Sequence, residues 1–195
     1  KPIHVFGGLG FAFILSALGI ALGLFIWRLS GGGYIIQTPL TLLAAVLLIV
    51  GLQFVLLGLP AELLVRLYQQ AVKDNTAHLA GQLLEMGLGI VTGGTDTHLL
   101  LIDLRGISEE LTGAEIEARG LDAGLAINKN MVPDDPKPPR VTSGIRLGTA
   151  AVTTRGLGTA EMETIAQIIH GLITGEDPGK LRPQIQELAQ TFPLI

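Results

Sequence analysis

The chain has 195 residues, with 13 Lys and Arg against 17 Asp and Glu, and no cysteine. The missing cysteine excludes disulfides, thiolate nucleophiles and zinc–thiolate sites, and the lack of a Lys/Arg cluster excludes the electrostatic footprint of a nucleic-acid binder. Charge is unevenly spread: residues 1–60 hold two bases, Lys1 and Arg28, and no acid, whereas residues 61–195 carry a net charge of −6.

Residues 5–27 run without a charge, and residues 40–59 follow with Gln53 as their main polar side chain. Each run is long enough to cross roughly 30 Å of hydrocarbon as a helix, and Leu, Ile, Phe and Val each favour insertion by about 0.3–0.6 kcal/mol. The link RLSGGGYIIQTP (28–39) is short, with three glycines as breakers and Trp27 and Tyr34 as interfacial anchors. The expectation is a two-helix transmembrane hairpin over residues 1–66. Lys1, Arg66 and Lys73 outnumber Arg28, so the charge rule places both ends and the C-terminal domain on the cytoplasmic side. Ala12, Ser16, Gly19 and Gly23 share one helix face, suited to packing within the hairpin or to self-association.

From Tyr68 the pattern changes. Val72, Leu79, Leu83 and Met86 recur at helical spacing, with Gly87 and Gly89 as stops. Residues 89–104 read as strand, Gly-Gly turn and strand ending at Asp103, with His98 inside the second strand as a hydrogen-bonded structural histidine. Thr112 to Glu115 is a capping box for a helix to about Ala123. Residues 125–130 suggest a short strand, and four prolines make 131–140 a loop. Residues 144–152 are strand-like with a turn, Thr159 caps a helix to about Leu172, and a last helix covers about 178–189. The fold class expected for residues 67–195 is therefore a small α+β domain, helices packed on a small sheet. Glu85, Glu115 and Glu163 read as solvated, and no metal-ligand spacing appears among His4, His78, His98 and His170.

Two resemblances follow from quoted strings. KPIHVFGGLG, the Gly-Tyr link and LLIVGLQFVLLGLPAELLVRLY make residues 1–68 similar to the C-terminal membrane part of polyprenyl-phosphate glycosyltransferases of family 2, without that family's acidic metal-binding motif. YQQAVKDNTAHLAGQLLEMGLGIVTGGTDTHLLLIDLR, LTGAEIEARGLDAGLAINKNMVPDDPKPPRVTSGIRLGTAAVTTRG and AEMETIAQIIHGLI make residues 68–195 resemble the C-terminal small domain of serine hydroxymethyltransferase, a fold-type I pyridoxal-phosphate enzyme. That family interconverts serine and glycine in one-carbon metabolism, with pyridoxal 5′-phosphate as cofactor and tetrahydrofolate as co-substrate.

The resemblance assigns Arg146, in TSGIR, to the carboxylate of serine or glycine. A guanidinium forks onto a carboxylate through two parallel hydrogen bonds. It places Asn130, Pro138, Pro139 and Arg140 on the folate side, although Pro138 to Arg140 depart from the family's Ser-Pro-Phe-like run. Thr97 stands where the family usually has Asn, and Ala150 where it has Pro. None of Lys73, Lys129, Lys137 and Lys180 matches the family's cofactor lysine, so no catalytic or cofactor-binding residue is assigned, and activity would need a large domain from elsewhere. Three readings stay open: an enzyme fragment or chimera joined near residues 66–69, inactive alone; a non-catalytic membrane-anchored scaffold or binder; and the membrane tail of a sugar transferase. The partners implied are a lipid bilayer, an amino-acid carboxylate, folate and a second copy of the chain.

Overall fold

The computed structural model describes residues 1–35 and 38–194; Ile36 and Gln37 of the expected link, and Ile195, lie outside the described residues. The chain divides into two units, Lys1–Leu67 and Tyr68–Ile195.

In the first unit, helix α1 (Pro2–Leu29) is followed by the opening part of α2 (Pro39–Glu85). Gly10, Ala17 and Leu24, each seven residues apart, are the buried positions of α1. Their spacing keeps one seam against the neighbouring helix. The seam closes on glycine: a Cβ at Gly10 would sit 2.7 Å from the carbonyl oxygen of Gly51, and one at Gly51 would sit 2.8 Å from that of Gly10. Phe54 fills the space beside it, with ring centroids 6.0 Å from Phe6 and 5.8 Å from Phe13. The stripe Ala12, Ser16, Gly19, Gly23 does not pack within the hairpin as one expectation had it. All four are exposed, and a Cβ at Gly19 or Gly23 would meet nothing within 4 Å.

The sequence suggested a span ending near residue 59 and a separate helix from 68. Instead α2 is one helix of 47 residues, running through Pro60. The residues after that proline, Ala61 to Leu67, include the strong helix formers Ala, Glu, Leu and Arg and no glycine, so nothing terminates the helix there. It ends at Glu85. Gly87 adopts φ +86°, its amide donates to the carbonyl of Leu84 and the Leu88 amide to that of Leu83, which closes the last turn as a Schellman motif.

The second unit holds a four-stranded antiparallel sheet in the order β1 (Gly89–Ile90), β2 (Leu99–Asp103), β4 (Gly144–Gly148), β3 (Asn128–Asn130). The expected hairpin of strand, Gly-Gly turn and strand is present, with β1 reduced to two residues. Alternation sets the faces: Leu100 and Ile102 of β2 with Ile145 and Leu147 of β4 point into the core, and Leu101 and Arg146 lie opposite. Helices α3 (Gly113–Ala123) and α5 (Thr159–Thr174) bury Ile116, Met162, Ile168, Ile169 and Leu172 in that core, which also takes Leu83 from α2 and Leu181 from α6 (Pro178–Thr191). Each such side chain contributes about 1.5–3 kcal/mol of burial.

Caps explain most boundaries. The Thr112 hydroxyl accepts from the Glu115 amide and Gly124 ends α3 at φ +90°. Thr159 is not the cap of α5, as expected, but its first residue: the Glu161 carboxylate accepts from the Gly158 amide 2.8 Å away. Residues 150–152, expected as the end of a strand-like run, instead open a short helix α4 (Ala150–Thr154). Its entry is fixed by a buried contact between hydroxyls, Thr76 to Thr149 at 2.6 Å, with Thr149 also donating to the Val72 carbonyl.

Candidate functional site

Arg146 is the middle residue of β4. Its strand is held in register by Leu101 of β2 on one side and Asn128 of β3 on the other. The neighbours Ile145 and Leu147 anchor in the core, so period-two alternation sends Arg146 to the opposite, open face. There it lines a concavity of about 700 Å³ together with Asn130, Asp96, Thr95, Thr97, Leu99 and Leu101. No acid lies within ion-pair distance of Arg146 among the described residues; the four ion pairs are Arg66–Glu62, Arg105–Asp103, Arg119–Glu115 and Lys129–Glu117. A guanidinium on an open sheet face, with its donors uncommitted to any acid, is suited to a ligand carboxylate.

Asn130 ends β3 and shares this concavity, although its own amide donates to the Met131 carbonyl at 2.7 Å. Pro138, Pro139 and Arg140 do not line it. They are exposed on the proline-rich loop, where the Pro138 carbonyl accepts from the amides of Val141 and Thr142. The structure thus brings one of the four expected folate-side residues to Arg146 and leaves three apart from that concavity. His98 is corrected: it lies in the bend before β2 rather than in a strand, is exposed, and lines a separate concavity with Tyr68, Lys73 and Thr97. Thr97 does local work, its hydroxyl meeting that of Thr95 at 3.1 Å and donating to the Leu99 carbonyl. Ala150, where the resembling family has proline, follows Thr149 at φ −99° and ψ −3°. Proline would disfavour that conformation in the residue before it, so alanine suits this backbone.

Residues missed in the sequence organise the loop. The Asp135 carboxylate accepts from the amides of Val132 (3.2 Å), Lys137 (3.0 Å) and Ser143 (2.8 Å) and from the Ser143 hydroxyl (2.7 Å). Burial works to raise its pKa, but the amides of Lys137, Ser143 and Val132 and the Ser143 hydroxyl outweigh it and hold the carboxyl far below the usual range. Arg105 pairs with Asp103, with a shortest contact of 2.6 Å, and donates to the carbonyls of Pro133 and Asp134 at 3.3 Å. The Lys137 amine donates to the carbonyls of Glu109 and Leu111. Asp-Asp-Pro within a proline run is a turn signal, and it could have pointed to a structured loop though not to these partners.

The serine hydroxymethyltransferase family model matches residues 49–169. The match begins inside α2, before the junction expected near residues 66–69. The serine hydroxymethyltransferase of Paramagnetospirillum magneticum (strain ATCC 700264 / AMB-1) is 43% identical over 138 residues, covering 66% of this chain and 32% of that protein. The chain therefore spans about a third of the length of this curated relative. With more than half of its residues matched to one family, and with that match containing both Arg146 and the Asp135 loop, the chain belongs to the serine hydroxymethyltransferase family.

Proposed function

We propose that this chain supplies the amino-acid-carboxylate site of a serine hydroxymethyltransferase activity, the transfer of a one-carbon unit between serine and tetrahydrofolate that leaves glycine. Arg146 binds the serine or glycine carboxylate, and Asn130 and the 138–140 loop face the folate. The observation that supports this most directly is the unpaired Arg146 on the open sheet face beside Asn130, in a chain of this family. We attach no sugar transfer to the hairpin, since residues 1–60 contain no acid to hold a metal-bound sugar nucleotide.

Pyridoxal 5′-phosphate, the cofactor this family uses, needs a lysine amine beside a phosphate cradle and an acid for the ring nitrogen. The four lysines of the second unit do not fit that need. Lys129 is paired with Glu117, Lys137 is spent on two carbonyls, and Lys73 and Lys180 are exposed on helices. This chain's own part is carboxylate recognition, and the same observation favours a second reading, an amino-acid binder without turnover. Conversion of serine to glycine by the purified chain, given folate and cofactor, separates the two.

The test of the site is a glycine titration followed by NMR at the Arg146 side chain. Hydrogen bonds to charged groups are worth about 1.5–3 kcal/mol, so a lone clamp corresponds to a Kd of about 5–100 mM. Glycine is expected to shift the Arg146 and Asn130 signals in that range. Arg146→Lys, which loses the planar fork, is expected to abolish the response; an unchanged response in that variant refutes the assignment.

A further inference from the structure

The strand that carries Arg146 begins one residue after Ser143, and Ser143 is fully buried. The chain enters that strand from the proline-rich loop through Thr142, whose φ of +56° is unusual for a β-branched residue. A conformation of that kind persists only where its surroundings fix it. Thr142 itself is held by its amide on the Pro138 carbonyl, the Gly113 amide on its carbonyl and its hydroxyl on the Gly144 carbonyl, and at the next residue, Ser143, one carboxylate fixes the strand entry. Of the two oxygens of Asp135, one takes the amides of Val132 and Ser143, and the other takes the Ser143 hydroxyl and the Lys137 amide. Val132 lies two residues after the end of β3 and Ser143 one residue before the start of β4. The same carboxylate therefore ties the strand bearing Asn130 to the strand bearing Arg146. A carboxylate with four donors stays charged through the ordinary pH range, so it works by geometry and not by proton transfer.

We propose that Asp135 is a positioning residue for the carboxylate site: through Ser143 it sets the place of Arg146 relative to Asn130. The inference rests on the reading of Arg146 given above. Asp135→Asn keeps the shape but turns one acceptor oxygen into an NH2, which then faces donors already aimed at it. Charge-assisted bonds to a fixed strand entry are lost, and glycine binding to the full chain in nanodiscs is expected to weaken about 5–20-fold. Ser143→Ala, which removes a single bond, is expected to weaken it about 2–3-fold. Lys137→Ala is the comparison, because it frees the same loop at its contacts with Glu109 and Leu111 without touching Ser143. It is expected to lower thermal stability while leaving glycine affinity within about 1.5-fold. If Asp135→Asn and Lys137→Ala lose affinity in equal proportion to their loss of Tm, Asp135 is only structural and the proposal is overturned. If Asp135→Asn does not fold, Ser143→Ala decides, and an unchanged Kd there overturns it. If the wild-type chain shows no glycine response at Arg146, or Arg146→Lys keeps one, the carboxylate-site reading itself falls.

Discussion

Three carboxylates outside the hairpin hold their charge in different ways, and pH separates them. Asp103 is kept below its ordinary value of 3.8 chiefly by the Arg105 side chain. Glu117 is kept below 4.5 chiefly by Lys129. Asp135 is kept lower still by amides and a hydroxyl, against its burial. All three folded pKa values are depressed, so each group's contribution is complete above the ordinary carboxylate range and is lost as pH falls through the folded value. The thermal stability of the second unit is therefore expected to be level from pH 8 to about 5 and to decline below about 4. Asp135→Asn is expected to flatten the low-pH end of that decline. Salt adds a second handle. The Lys129 and Glu117 side chains are 32% and 34% exposed, so high salt screens their pair, whereas the amide cage of Asp135 loses little. Circular-dichroism melts at each pH, with and without 0.5 M salt (about a 4 Å screening length), check both statements. A stability that rises on acidification would contradict the sign.

Among the elements, the hairpin shows how much packing depends on which small residues meet. Gly10 and Gly51 bring α1 and α2 into backbone contact, while Gly19 and Gly23 face open space. Gly51→Leu would drive a side chain into the Gly10 carbonyl and Ile14, and overpacking of this kind costs about 1–3 kcal/mol. Gly19→Leu meets nothing within the chain. A lower melting temperature in detergent for the first and no change for the second is the expected pair of results; a fall in both would place Gly19 against a partner. The sequence pointed to the stripe with Gly19 and Gly23 and not to Gly10 and Gly51, because a 3.6-residue period shows which positions share a face but not what covers it. Local signals fared better. The hydroxyl cap at Thr112 and the left-handed glycines 87 and 124 were legible, since the chemistry lies within a few residues. Thr159 was misread by one position because Glu161 reaches back to the Gly158 amide, which spares the cap residue a side chain. Helix α4 was missed because Val152, Thr153 and Thr154 carry strand propensity, while its entry is fixed by Thr76 from another helix. Arg146 was found from its string, but Asp135 depends on Ser143 eight residues on, a contact that exists only in the folded loop.

Taken as a molecule, the chain joins a family domain to an apolar surface that water does not suit. The two long helices have windows of mean hydropathy 2.5 and 2.8, yet only 17% and 11% of those windows are buried. A core helix of a soluble domain with that composition would be mostly covered. Instead Phe11, Leu22 and Leu42 are 61%, 59% and 70% exposed, and contiguous apolar patches of this extent mark a membrane or partner surface. Roughly 20 helical residues span the hydrocarbon layer, so each helix is long enough to cross once and return the chain to its starting side. If both helices cross, the excess of Lys1, Arg66 and Lys73 over Arg28 predicts Ser30 outside and Gln69 inside. The chain has no cysteine of its own, which makes single-cysteine labelling clean. Ser30→Cys is expected to react with an impermeant maleimide from outside intact cells, and Gln69→Cys only after the membrane is opened. Alkaline carbonate is expected to leave the chain in the membrane pellet and detergent to release it. Release by carbonate alone would show a peripheral attachment, and equal labelling of both cysteines from one side would show that the apolar run of α2, which lies between them, does not cross.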